Sequence, residues 1–442
     1  MFKLNRITMA LAAAGMGAAL TLPAQASEKE LLDVLLKNHV ITADQHHALT
    51  EAYVKESASK IKVSTKGGLK AQTEDGAFKF QVGGRIMADA TFASNDDASI
   101  NDLNDGTEFR RARIFFKGHL NHDWGYKAQV DFSDNSLDVK DMYIQYKPAS
   151  ITVGQFKQPF SLEELTSSKY ITFMERGLPN VFATGRRVGV GYKTGFGMGT
   201  FAASVYGQNA GDGDENQEGF GAGARLTLAP VAEKGNVLHV GVAVAQESAP
   251  DEGDDLRVRV RPDAHNSPRL VNTDDILRIT DIDDLQKVGI EGAWVAGPFS
   301  LQSEWMQMDV SRDSGFADVD FDGWYASASL FLTGGDSRPY SKKKGAFSRV
   351  KPKNPLGKGG MGAWELAVRL AEVDLSDWDD IAAGTGATGA HSGELETTTV
   401  GLNWYVNKNV RFMLNYVMAD AEYGAGVSDE PDILQFRAQM DW

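Results

Sequence analysis

Apolar and polar residues alternate one for one through FKFQVGGRIMADATF, residues 78–92, and this pattern most narrows what the chain can become. Phe78, Phe80, Val82, Gly84, Ile86, Ala88, Ala90 and Phe92 share one face. Lys79, Gln81, Gly83, Arg85, Met87, Asp89 and Thr91 share the other. A period of two is a strand period, because successive Cβ atoms point to opposite sides. The stretch is about twice the usual strand length, and aromatic residues stand at both ends of its apolar face. A strand half-buried in a soluble core needs neither property.

The same signal returns along the chain. Ala112, Ile114, Phe116, Gly118 and Leu120 oppose Arg111, Arg113, Phe115 and Lys117; Trp124, Tyr126, Ala128, Val130 and Phe132 oppose Lys127, Gln129 and Asp131. Later segments such as Val410–Met418 and ILQFRAQMDW repeat it. About sixteen strands are expected, starting near residues 77, 107, 123, 138, 150, 185, 198, 219, 236, 286, 298, 319, 361, 396, 409 and 432. Their connections are alternately tight (KPAS, GFGMG, WVAGPF, VNKN) and long, acidic or Gly-rich. Short turns at one rim and long loops at the other match an outer-membrane β-barrel. One short-side connection, residues 334–360, is long and basic (SKKKGAFSRVKPKNPLGKG); as a charge run it is expected to be a solvated periplasmic excursion.

The front of the chain agrees with export. Lys3 and Arg6 precede an apolar run from Met9 to Leu22 and then Ala24-Gln25-Ala26, the form of a secretory signal peptide cleaved after Ala26. No later run of eighteen apolar residues offers a transmembrane helix. The absence of cysteine excludes disulfide staples and thiolate metal sites. A formal net charge of −15, more negative once Lys3 and Arg6 are removed, argues against nucleic acid as a partner. The expected organisation is a signal peptide at 1–26, a periplasmic helical segment at 27–62 and an all-β, 16-stranded antiparallel transmembrane barrel at 63–442.

Within 28–60, Leu31, Leu32, Val34, Leu35 and Leu36 suggest one helix. Thr42-Ala43-Asp44-Gln45 has capping-box form and starts a second. So small a hairpin either packs on copies of itself or on the rest of the protein, or docks loosely. His39, His46 and His47 read as surface histidines rather than a metal site, since neighbours on a helix point to different faces.

With polar sides inward, the lumen carries Lys79, Arg85, Arg111, Arg113, Lys117, Lys127, Arg187, Arg225, Arg369, Arg411 and Arg437 against Asp89, Asp131, Asp141, Glu291, Glu304, Glu365 and Asp441. It is net basic inside an acidic chain, which suits anion passage; the same charges could also pair into structural ladders. LRVRVRP places Arg257, Arg259 and Arg261 on one side of an extended segment, spaced to hand an oxyanion along or to pack against the acidic Asp251 to Asp255. Residues 158–182, QPFSLEELTSSKYITFMERGLPNVF, hold apolar anchors that a solvated loop does not need, so this loop is expected to fold inward and narrow the pore.

Taken together, TKGGL (65–69), VGGRI (82–86), EFRRARI (108–114), GQF (154–156), TSSKYITFMERGL (166–178), RVRVRP (257–262), GAWEL (362–366) and GLNWYVN (401–407) resemble the phosphate-selective porin O and P family in order and spacing. The resemblance implies a trimeric sixteen-stranded channel with an inward third loop and an arginine ladder leading anions to a central phosphate site. Arg85, Arg110 and Arg111 match its strand motifs; Ser167, Ser168, Lys169 and Arg176 its constriction loop; Arg257, Arg259 and Arg261 its ladder. Simple alternation turns Arg110 toward lipid. Three lysines of the family's site correspond, without gaps, to Glu164, Ser311 and Asp320.

The reading is therefore an outer-membrane porin of a Gram-negative cell, a homotrimer in lipid, passing phosphate and other small anions without cofactor or metal. Ser167 and Ser168 lack a nearby His and read as hydrogen-bonding groups, so no catalysis is expected. A general or cation-leaning porin, and a non-conducting structural or adhesive barrel, are the alternatives.

Overall fold

The alternating segments become sixteen antiparallel strands of one closed barrel. The computed structural model describes residues 28–65, 67–94, 103, 105–210, 219–248, 256–273, 278–384, 392–423 and 427–442. The expected signal peptide and Asp251 to Asp255 lie outside the described residues. The strands are β1 (Lys79–Ser94), β2 (Gly106–Leu120), β3 (Trp124–Asp131), β4 (Asp138–Tyr146), β5 (Ile151–Lys157), β6 (Arg186–Phe196), β7 (Gly199–Tyr206) and β8 (Gly221–Glu233). Then follow β9 (Asn236–Ser248), β10 (Ile282–Ala296), β11 (Phe299–Arg312), β12 (Val319–Phe331), β13 (Ala363–Asp374), β14 (Gly393–Tyr405), β15 (Val410–Tyr423) and β16 (Asp432–Asp441). Each pairs with its neighbour in sequence, and β16 pairs with β1 from Asp432↔Ser94 to Asp441↔Arg85, which closes the wall. Strand starts fall where the alternation put them, the largest difference being β10, expected near 286 and beginning at Ile282.

Facing follows the alternation as well. On β1, Ile86 and Phe92 are 43% and 55% exposed, whereas Met87 and Arg85 are 0% and 7%. An apolar side chain turned out of the wall is a lipid-facing one in this architecture. At one rim the outward rings of Trp364, Trp404, Phe412 and Phe436 form a stacked series, with successive centroids 5.3, 5.7 and 6.0 Å apart. This is the aromatic girdle of a membrane interface.

One register shift matters. Arg110 turns inward with Arg111, because both guanidinium groups reach Glu175 in the connection that follows β5. Thr107 and Phe109 face out below the shift, Ala112 and Ile114 above it. Two adjacent residues sharing a face mark a local break in the pleat. The outward placement that simple alternation gives Arg110 is corrected by that break.

The lumen is not wet throughout. Residues 158–185 fold into it, burying Phe160, Leu162, Ile171, Phe173, Met174, Leu178 and Phe182. Residues 256–273 fold in beside them as a short hairpin with Val258 and Val260 inward. Inward Met306, Met308, Val310, Val319 and Phe321 of β11 and β12 complete this apolar cluster. The basic connection 334–360 departs from the solvated excursion expected of it. It also turns into the barrel, with Ala346 and Phe347 buried beside Leu162, Val237 and Val295. Its apolar residues decide the matter: leaving them in water costs more than laying the backbone against the wall. Lys351, Lys353 and Lys358 stay exposed, as does the turn Lys342, Lys343 and Lys344. Gly345 is required there, since its φ is +60° and a Cβ would stand 2.9 Å from Thr227 Oγ1.

The chain divides into two compact units, residues 1–81 with 118–122 and residues 82–117 with 123–442. The described part of the first holds helices α1 (Glu28–Lys37) and α2 (Ala43–Ser59) and a strand pair, Ile61–Ser64 with Leu69–Thr73. The capping box forms in both directions: Gln45 N–H donates to Thr42 Oγ1 (3.2 Å) and Thr42 N–H to Gln45 Oε1 (2.9 Å). His46 Nε2 lies 2.9 Å from Asp33 of α1, so this histidine ties the two helices together.

Candidate functional site

The inward loop 158–185 is positioned by its own sequence. Ser161, at φ +65°, caps the one-turn helix α3 (Leu162–Leu165), its Oγ accepting from Glu164 N–H at 3.0 Å. The Glu304 carboxylate of β11 receives the free N–H groups of Leu162 (2.8 Å) and Glu163 (2.7 Å), and the Tyr325 hydroxyl at 2.6 Å. Carboxyl oxygens at a helix N-terminus satisfy donors that have no partner within the helix. Further on, wall side chains hold the loop's carbonyls: Arg411 donates to Ile171 O, Asn403 to Thr172 O, Arg437 to Met174 O and Arg369 to Glu175 O. These buried side chains, three of them cations, serve to fix the loop.

Three carboxylates gather cations around this loop. Glu175 takes Arg110 in a two-point pair (2.8 and 2.9 Å), Arg437 at 2.8 Å and Arg111 at 3.6 Å. Burial pushes its carboxyl up, but Arg110, Arg111 and Arg437 outweigh that and hold it well below the usual range. Glu164 pairs with Lys157 at 2.7 Å and Arg176 at 3.1 Å. Burial opposes its ionisation too, and the two cations bring it to about 2. Asp441 of β16 takes Lys169 of the loop at 3.3 Å and Arg349 of the inward connection at 3.1 Å.

The sequence-chosen residues thus fall into separate groups. Arg85 Nη1 donates to Ser168 Oγ at 2.5 Å, next to Lys169. Ser167 Oγ accepts from Lys169 N–H at 3.5 Å. Arg111 stands apart with Glu175, and Arg176 is held by Glu164 and by the carbonyls of Glu163, Glu164 and Thr166. Arg257, Arg259 and Arg261 lie on the side of hairpin 256–273 opposite buried Val258 and Val260, and Arg261 Nε donates to Ser267 O at 2.8 Å. That hairpin is anchored by Asp263, which meets Arg369 at 2.8 Å and the hydroxyls of Thr397 and Thr399. Ser311 and Asp320 face away from the lumen. At those levels the inward positions are Val310, Arg312, Val319 and Phe321, so the ungapped correspondence does not identify a facing wall.

Sequence reasoning passed over Lys157, Arg186 and Arg349. Arg186 meets Asp141 at 2.8 Å beside Lys127, although strict alternation selects only its neighbour Arg187. Arg349 was hidden in a charge run, where buried Ala346, Phe347 and Val350 were the available signal.

In the pairs of Asp141 and in the Arg349–Asp441 pair the cation is the more exposed partner, whereas Glu175 is more exposed than Arg111 and Arg437. Lys127 is 23% exposed against 9% for Asp141, Arg186 18% against 9%, and Arg349 23% against 2% for Asp441. A solute moving past these three pairs meets ammonium and guanidinium groups with their carboxylates behind them. Formally neutral pairs therefore present a positive surface.

Comparison with known proteins fits the porin barrel. The model of the family "Phosphate-selective porin O and P" matches residues 80–442. Porin O of Pseudomonas aeruginosa is 30% identical over 400 residues, covering 84% of this chain and 89% of that protein. An uncharacterized protein of Caulobacter vibrioides is 31% identical over 384 residues, covering 83% of this chain and 73% of that one. Among solved structures, the outer membrane channel DcaP of Acinetobacter baumannii superposes with a TM-score of 0.53 at 12% identity, over 84% of this chain and 99% of its own. The trimer form of Vibrio cholerae OmpT gives 0.52 at 9% identity, over 83% and 100%.

Proposed function

The chain belongs to the phosphate-selective porin O and P family, and on that premise we propose that it is a passive diffusion channel passing phosphate and other small anions. It is an outer-membrane porin of a Gram-negative cell; the solute preference is our reading. The observation that carries it is the more exposed cation in the Lys127–Asp141, Arg186–Asp141 and Arg349–Asp441 pairs. Such a lining concentrates anions without binding them irreversibly, which conduction requires. In this reading Arg257, Arg259 and Arg261 collect anions at the mouth. Arg85, Arg111, Ser167, Ser168, Lys169 and Arg176 then supply donors around the constriction. Catalysis has no part in it. The chain assembles as a homotrimer, as the trimer form of Vibrio cholerae OmpT does, and residues 27–62 stand in the periplasm.

Glu164 favours a second reading, a general or cation-leaning porin, because one carboxylate there occupies two cations. The inward segments favour a third, a non-conducting barrel. Planar-bilayer recording in a salt gradient separates all three. Anion-leaning reversal with chloride current reduced by phosphate is the expected result. Reversal of the opposite sign rejects anion preference, and silence rejects the channel.

A further inference from the structure

The constriction loop, the inward connection 334–360 and the closing strand β16 meet at one carboxylate. Asp441 is 2% exposed, yet three cations surround it. Lys169 Nζ is 3.3 Å from Oδ2, and Arg349 grips both oxygens, with Nη1 to Oδ1 at 3.1 Å and Nη2 to Oδ2. The third, Arg85, adds its field but has no carboxylate within ion-pair distance among the described residues; its Nη1 goes to Ser168 Oγ. Tyr170 lies between, its hydroxyl accepting from Arg349 Nη2 at 3.2 Å and its ring 5.3 Å from Lys169 Nζ and 5.2 Å from the Arg349 guanidinium. Both hydroxyls accept from guanidinium groups, which leaves the Ser168 and Tyr170 protons available to an added acceptor. Three cations and two hydroxyl donors around one buried carboxylate form an oxyanion site with its counter-ion already in place.

We propose that Asp441 is the resident counter-ion of the Arg85, Ser168 and Lys169 donors assigned above to anion binding, that Arg349 joins them, and that a phosphate-like anion enters by drawing these cations from it. The inference rests on the anion-channel reading above. Arg349 Nη1 and Nη2 are the atoms an oxyanion engages in a parallel two-point contact, as they engage Asp441. Competition from a tethered carboxylate shortens the anion's stay. A site of three unopposed cations holds a doubly charged anion, whereas the same site with an internal rival releases it. Lys169 fits a crowded cationic site: burial first, and then Arg85 and Arg349, bring its ammonium down to about 8 against the pull of Asp441.

The test is chloride current through the full-length protein in planar bilayers, titrated with inorganic phosphate. Asp441→Asn is expected to lower the half-blocking phosphate concentration by about tenfold, equivalent to ~1.4 kcal/mol, with reversal still anion-leaning. Arg349→Gln is expected to raise it severalfold, because one cation is lost and Asp441 falls to Lys169 alone. An unchanged or higher half-blocking concentration in Asp441→Asn, in a channel whose wild type is anion-selective and blocked by phosphate, overturns the counter-ion role and leaves the anion reading standing. A wild type that is cation-selective or indifferent to phosphate removes both. Should Asp441→Asn fail to assemble, Arg349→Gln decides: a half-blocking concentration equal to wild type overturns the subsite.

Discussion

Glu164 and Lys169 sit five residues apart on one loop and pull the filter in opposite directions. Glu164 occupies Lys157 and Arg176, so Glu164→Gln should free both and raise the anion-to-cation permeability ratio, by roughly two-fold or more, read as a reversal potential in a KCl gradient. The same change should loosen the loop, because Arg176 loses the carboxylate that helps orient it. Lys169 gives a pH signature. With its ammonium at about 8, the charged fraction falls from about nine-tenths at pH 7 to about one-tenth at pH 9. Anion preference in KCl should therefore decline over that interval, and Lys169→Met should abolish the decline. At the acid end, Glu164 at about 2 lies below the ordinary carboxyl range, so its pairs contribute stability above that range and lose it only as pH falls toward 2. Arg85, Ser168 and Lys169 were legible as a group because a motif placed them; Asp441 was legible as an inward acid. That the two belong together was not, since the contact joins positions more than two hundred residues apart and periodicity carries no such information.

At the scale of elements, the strands were almost wholly readable and the inward segments only partly so. A strand in a barrel wall must alternate, because one face meets lipid and the other does not, and that constraint is written locally. The loop 158–185 betrayed itself by Phe160, Ile171, Phe173 and Phe182, too many apolar anchors for solvent. Connection 334–360 concealed its buried Ala346 and Phe347 behind lysines that remain outside. Arg110 was misplaced for a related reason: the break in β2 exists to serve Glu175, a partner distant in sequence. Phe173 packs against Gly401 and under the Arg369 guanidinium, 4.5 Å from the ring. Phe173→Ala should cost the loop ~3–5 kcal/mol of anchoring, seen as larger and noisier single-channel conductance with barrel circular dichroism unchanged. Unchanged conductance would show that wall hydrogen bonds alone hold the loop.

For the whole molecule, closure depends on close approach at the seam. Gly84 exchanges backbone hydrogen bonds with Trp442 (3.2 and 3.1 Å), and a Cβ there would lie 2.6 Å from the Trp442 ring and 2.7 Å from Arg113 O. Gly84→Val should impair formation of the heat-resistant folded band on unboiled gels, whereas the same change at Gly292, where a Cβ meets nothing, should not. The strand at that seam also supplies Arg437, Gln439 and Asp441, the side chains that grip Met174, Glu175 and Lys169 of the constriction loop. Sealing the cylinder therefore completes the hold on the loop that narrows its bore. An assembly intermediate still open along this edge holds its filter through Glu304, Arg369, Asn403 and Arg411 without that strand's grip, so its bore is looser while the protein is unfinished, and insertion machinery that retains the edge until it zips would spare the cell that leak.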